Sequence, residues 1–172
     1  MLLMGSQAKA VDPMQLKTAR EIFASYSAIT GISDHDQDLR DLFKANLDRL
    51  PKKGEPSELN NGVVLAATEL GGAFCAKAVD REAAIGHGQR ILFGDVNFQR
   101  GPSQFDDYLT GVLLDHLAQA YWQRDALASE KASLTATITA AKSRTDNTPA
   151  ETVKVMKIVC GVFASSLGFL VK

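Results

Sequence analysis

The stretch Asp12-Pro13-Met14-Gln15-Leu16-Lys17-Thr18-Ala19-Arg20-Glu21-Ile22-Phe23-Ala24-Ser25-Tyr26-Ser27-Ala28-Ile29-Thr30-Gly31 carries the pattern that decides the fold. Leu16, Ala19, Ile22, Phe23, Tyr26 and Ile29 recur at steps of three and four residues, which puts them on one face of a helix. Asp12 is a capping residue, Pro13 suits a first helical position, and Gly31 is a stop. The pattern then repeats. Ser33-Asp34-His35-Asp36 caps a second helix with Leu39, Leu42, Phe43, Leu47 and Leu50 on one face, ended by Pro51. After the polar turn Lys52-Lys53-Gly54-Glu55-Pro56, Ser57 opens a third helix with Glu58 in its first turn.

The third helix is built from small residues: Gly62, Ala66, Ala67, Gly71, Gly72, Ala73, Ala76 and Ala78. Each interior glycine costs about 1 kcal/mol of helix propensity relative to alanine. Close packing of a neighbouring helix is the commonest return for that cost; a kink or a gap for a ligand are the others. From Gly86 to Pro102 the helical period lapses, although Ile91-Leu92-Phe93 and Val96-Asn97-Phe98 are too apolar for a free linker. This segment is expected to lie as a loop on the bundle, with a short strand or helical turn. Pro102-Ser103 starts a fourth helix with Phe105, Tyr108, Leu109, Val112, Leu113, Leu117, Ala120 and Tyr121 on its apolar side. Residues Ala126 to Lys142 continue as helix, Ser143 to Asn147 break it, and Thr148-Pro149 cap a last helix with Val153, Met156, Cys160, Phe163 and Leu167 in one stripe. The expectation is an all-α, single-domain bundle of about five to six helices over residues 11–172, with one irregular glycine-containing loop at 86–102.

Composition narrows the function classes. The 19 Lys and Arg residues nearly balance the 20 Asp and Glu residues, so the basic stripe of a nucleic-acid binder is missing and no nucleic-acid partner is expected. Ile158 to Val171 is apolar between Lys157 and Lys172, but its 14 residues fall short of a membrane span and read as a core helix. Two cysteines, Cys75 and Cys160, exclude a four-cysteine zinc site. Two readings of them stand. They are either free buried thiols acting as small hydrophobes, or a disulfide that closes a loop of some 85 residues.

That choice follows the compartment. Ala8-Lys9-Ala10 has the small-residue spacing of a signal-peptidase site, which makes residues 1–10 a disordered leader or signal-peptide remnant. Met1-Leu2-Leu3-Met4 is shorter than a complete signal core and lacks a preceding basic residue. With export, the protein belongs to the periplasm or cell envelope; if the leader is no signal remnant, to the cytoplasm.

Candidate chemistry fails position by position. Asp34, Asp36 and Asp38 alternate like the first ligands of a calcium loop, but the sixth and twelfth places hold Leu39 and Ala45 instead of Gly and Glu. His35, His87 and His116 form no helical metal pair, and Asp115-His116 are neighbours that point about 100° apart on a helix. Glycine-rich nucleotide loops and the serine-hydrolase elbow are missing. No catalytic residue, metal or cofactor is therefore expected, and the protein reads as a non-enzyme. His87 between two glycines, with Phe93 and Phe98, marks a possible ligand loop.

Ile29-Thr30-Gly31-Ile32, Leu50-Pro51 with Gly54, Leu70 to Cys75, and Cys160 to Leu170 resemble helical regions of uncharacterised exported bacterial envelope proteins. The resemblance implies an envelope setting and no activity. The function expected is that of a helical subunit or adaptor of an envelope assembly, contacting other envelope proteins or itself through Phe163, Leu167, Phe169 and Leu170. A small-ligand-binding bundle, with a pocket between the glycine side of the third helix and the His87 loop, and a cytoplasmic helical regulator are the alternatives.

Overall fold

The computed structural model is described over residues 15–144 and 146–172. The leader at 1–10 with its Ala8-Lys9-Ala10 site, and the Asp12-Pro13 cap, lie outside the described residues. Within them the fold is an all-α bundle of seven helices: α1 (Ala19–Thr30), α2 (Gln37–Asn46), α3 (Asn61–Ala84), α4 (Asp107–Trp122), α5 (Ala128–Lys142), α6 (Pro149–Ser165) and the single turn α7 (Leu167–Leu170). Helix α3 packs most extensively on α6; α1 and α2 lean on α3, while α4 and α5 lean on α6. Helix α7 folds back against α4 and α6.

Helix α1 begins six residues after Pro13, and Leu16 is not part of it. The backbone there is already engaged: Leu16 N–H donates to Gly54 O (2.9 Å), Lys17 N–H to Leu170 O (2.8 Å) and Ala19 N–H to Pro51 O (2.7 Å). Leu16 also pairs with Val171 in an antiparallel bridge, so the incoming chain is clasped to the end of α7. Thr18 and Glu21 then form a capping box, with Thr18 N–H donating to Glu21 Oε2 at 2.7 Å. Gly31 closes the helix at φ 63°, a conformation that suits glycine.

Other boundaries shift for local reasons. Pro56–Glu58 makes a 3₁₀ turn, and α3 starts only after Asn60 accepts from Gly62 N–H (2.8 Å) and Val63 N–H (3.2 Å). Pro102–Gln104 is likewise a 3₁₀ turn, and Asp106 caps α4 through Leu109 N–H at 2.8 Å. Gln123 ends α4 in the left-handed region (φ 54°), which separates α5 from it.

Helix α3 has the length and mean hydropathy of a membrane-crossing segment, yet half of that stretch is buried inside the bundle. Its apolar character is used for core packing. The end of the chain is used in the same way. Phe163, Phe169 and Leu170, expected on a partner face, are buried, and only Leu167 is exposed. Phe169 stacks on Tyr26 (4.4 Å between centroids), so burying these rings against α1 and α6 removes them from the surface.

Candidate functional site

The α3–α6 contact is made by small residues. A Cβ on Gly71 would lie 2.7 Å from Ala164 Cβ and 3.0 Å from the Tyr26 hydroxyl, so glycine here is what lets the two helices approach. At Gly72 the space is open. The buried Tyr26 hydroxyl is shared between Ala164 O (2.7 Å) and Ala67 O (3.0 Å), joining α1, α3 and α6. Burial, followed by the influence of Tyr121, pushes the Tyr26 pKa far upward and keeps it a donor. The small-residue face of α3 is therefore a tight helix crossing.

Along the same seam Cys75 and Cys160 are joined as a disulfide, their Cα atoms 5.6 Å apart and both residues fully buried. Disulfide sulfurs carry no proton, so the Tyr121 hydroxyl is the donor to them, at 3.2 Å from Cys160 Sγ and 3.4 Å from Cys75 Sγ. Burial, and behind it the Glu82 charge, raise the Tyr121 pKa and hold the phenol protonated.

Glu82 is the buried member of the charged run Asp80-Arg81-Glu82. It is fully buried, and its carboxylate accepts from Ile91 N–H (3.0 Å), Leu92 N–H (3.1 and 3.2 Å) and Phe93 N–H (2.9 Å), with Arg81 at 3.3 Å. This carboxylate takes the place of backbone partners that the irregular loop lacks. Its signal in the sequence is spacing: Cys75, Ala78, Val79 and Glu82 fall on one helical face.

The ligand loop drawn from sequence does not assemble. Phe93 and Phe98 meet edge to face inside the core (6.1 Å), Arg90 stacks on Phe98 (5.0 Å), and His87 is exposed on a 3₁₀ turn. Asp36 and Asp38 both bind Lys77, at 2.9 and 3.0 Å, and Asp115 binds Lys131 at 2.6 Å. Among the described residues no three His, Cys, Asp or Glu side chains gather at metal-binding distance.

A cleft of about 670 Å³ opens instead between the α4–α5 corner and the chain end. Its wall is the Trp122 indole, braced on Phe163 (4.7 Å) and donating from Nε1 to Ser166 Oγ (2.6 Å). Gly168 lies against the indole, where a Cβ would come within 3.1 Å. The left-handed Gln123 turns the chain so that Arg124 returns over Trp122 at 5.0 Å while gripping Glu130 through two bonds (2.8 and 2.7 Å). Those bonds, above all, bring the Glu130 pKa down to about 2. On the opposite rim the Lys17 ammonium donates to Phe169 O and sits 4.0 Å over the Phe169 ring. Burial lowers the Lys17 pKa; the Glu21 charge opposes this, and the Lys172 charge adds to it. Nothing in the sequence pattern marked this cleft, because its residues come from three distant segments.

Comparison with protein-family models, curated proteins and solved structures finds no match for this chain.

Proposed function

We propose that this protein is a helical subunit of the bacterial cell envelope, working in an oxidising compartment through noncovalent contacts with other envelope proteins or with itself. The observation that carries this reading is the Cys75–Cys160 bond at the centre of the α3–α6 seam. Disulfides form and persist in oxidising compartments and are rare where glutathione and thioredoxin keep thiols reduced. A bond so placed is part of the core, and a phenol is set aside to satisfy its sulfurs. The export reading of Ala8-Lys9-Ala10 agrees with that compartment. The contact surface assigned here centres on the exposed Leu167, since the other apolar residues of the chain end serve the core.

Fusing the gene, with its upstream region, to alkaline phosphatase and separately to a fluorescent protein in the native host tests the compartment. An active phosphatase and a dark fluorescent fusion are expected; an inactive phosphatase with a bright fluorescent fusion would contradict export. Cross-linking in intact cells then tests the assembly. The expected product is larger than one chain and is lost in Leu167→Glu, whereas an uncross-linked single chain would contradict a subunit role.

A further inference from the structure

The Trp122 cleft combines two features. One is a fixed apolar wall: the indole lines the cleft, braced by Phe163, tied at Nε1 by Ser166, with Arg124 over its ring and Gly168 close against it. Leu167, half exposed, extends this wall to the rim. The other is a concentration of cations. Among the described residues lining the cleft, Lys17, Arg124 and Lys172 face one carboxylate side chain, Glu130, and both oxygens of that carboxylate are taken by Arg124. Lys172 pairs with Glu21 at 2.6 Å, outside the cleft lining. Lys17 makes no ion pair among the described residues; its ammonium is held in place by a carbonyl and a ring face.

We propose that this cleft binds a small amphipathic carboxylate, its hydrocarbon body laid on Trp122 and Leu167 and its carboxylate received by Lys17 and Lys172. The volume suits such a molecule, since small-ligand pockets run from about 300 to 1,000 Å³. Charge complementarity chooses an anion: a carboxylate entering between Lys17 and Lys172 adds an anionic partner to the ammonium held at Phe169 and bridges two like charges. An ammonium ligand meets those same charges as repulsion. A neutral ligand of equal length keeps only the apolar contact.

Trp122 is the only tryptophan in the chain, so its fluorescence reports on this cleft alone. The oxidised full-length protein is titrated with octanoate, 1-octanol and octylammonium while the Trp122 emission is followed. A saturable octanoate response is expected, at least about tenfold tighter than that to either of the other probes, in keeping with a charge pair at the edge of an apolar site. The preference should collapse in 1 M salt, where the screening length falls to about 3 Å. Lys172→Met should weaken the octanoate response several-fold and Lys172→Arg should preserve it, with helical circular dichroism unchanged in both. Equal responses to octanoate and octylammonium, or no saturable response to octanoate, would overturn the proposal.

Discussion

At Cys75, α3 is fastened to α6 by a covalent bond between fully buried sulfurs; about two turns later, at Glu82, it is fastened to the 91–93 loop by one buried carboxylate. The two fastenings act on different states of the chain. The disulfide restricts the unfolded ensemble, and the helices it joins already meet through Gly71, Ala67 and Ala164. Glu82 acts in the native state, where backbone donors of an irregular segment have no other acceptor. Removing the first should lower the stability of the whole bundle without loosening any one part. Removing the second should loosen a part first.

Breaking the seam carries the largest expected effect. The double variant Cys75→Ala/Cys160→Ala should lose about 4–5 kcal/mol in denaturant unfolding, the loop-entropy value for a bridge spanning 85 residues. Its unfolding should remain a single transition with no new protease-sensitive site; early cleavage confined to the 86–101 segment would contradict this.

Glu82→Gln ranks next. An amide nitrogen replaces one acceptor oxygen and faces backbone N–H donors, at an expected cost of about 2–4 kcal/mol. Limited proteolysis should cut within 86–101 before the bundle unfolds, and unchanged protection there would show that Glu82 does not hold the loop.

Two adjacent glycines sharpen the seam side of the comparison. Gly71→Ala should destabilise by about 1–3 kcal/mol, since its Cβ would press on Ala164 and on the Tyr26 hydroxyl. Gly72→Ala meets open space and should stabilise by roughly 0.5–1 kcal/mol through helix propensity. Thermal melts of the pair should therefore shift in opposite directions; equal shifts would remove close approach as the reason for Gly71.

The smallest effect concerns pH at the α4–α5 corner. The Arg124 bonds lower the Glu130 pKa from 4.5 to about 2. A lowered carboxylate pKa contributes stability above the unfolded value and loses it as pH falls through the folded one, so the loss belongs between 4.5 and about 2. For a partly exposed pair this is worth no more than about 1 kcal/mol. Glu130→Gln should flatten the stability profile in that window, as read by denaturant midpoints at successive pH values, and an unchanged slope would assign it to other carboxylates such as Glu21.

The helical architecture was legible because it rests on short-range pattern: the three-four spacing of Ile22, Phe23 and Tyr26, and the Thr148-Pro149 start of α6, act within one or two turns. The start of α1 was misplaced because distant segments claim its backbone, as Gly54, Pro51 and Leu170 do for Leu16 to Ala19, whereas α3 and α4 start late behind local 3₁₀ turns. Sequence reading left the cysteine pairing open, because it depends on how closely α3 and α6 approach, and Gly71 decides that only in three dimensions. The apolar chain end misled for the same reason. Phe163 and Phe169 look surplus in sequence and become core when Tyr26 and Trp122 pack against them. The cleft was out of reach altogether, since the Leu16–Val171 clasp brings Lys17 to it and α7 folding back on α4 brings Leu167 beside Trp122.

The covalent seam is the claim on which the compartment depends. The direct measurement is the intact mass of the protein purified from its own host, denatured and alkylated without reductant. A chain carrying no alkyl group is predicted, with two groups added only after reduction. A chain that takes up two alkyl groups before reduction would contradict the bond between Cys75 and Cys160 and the oxidising setting argued from it.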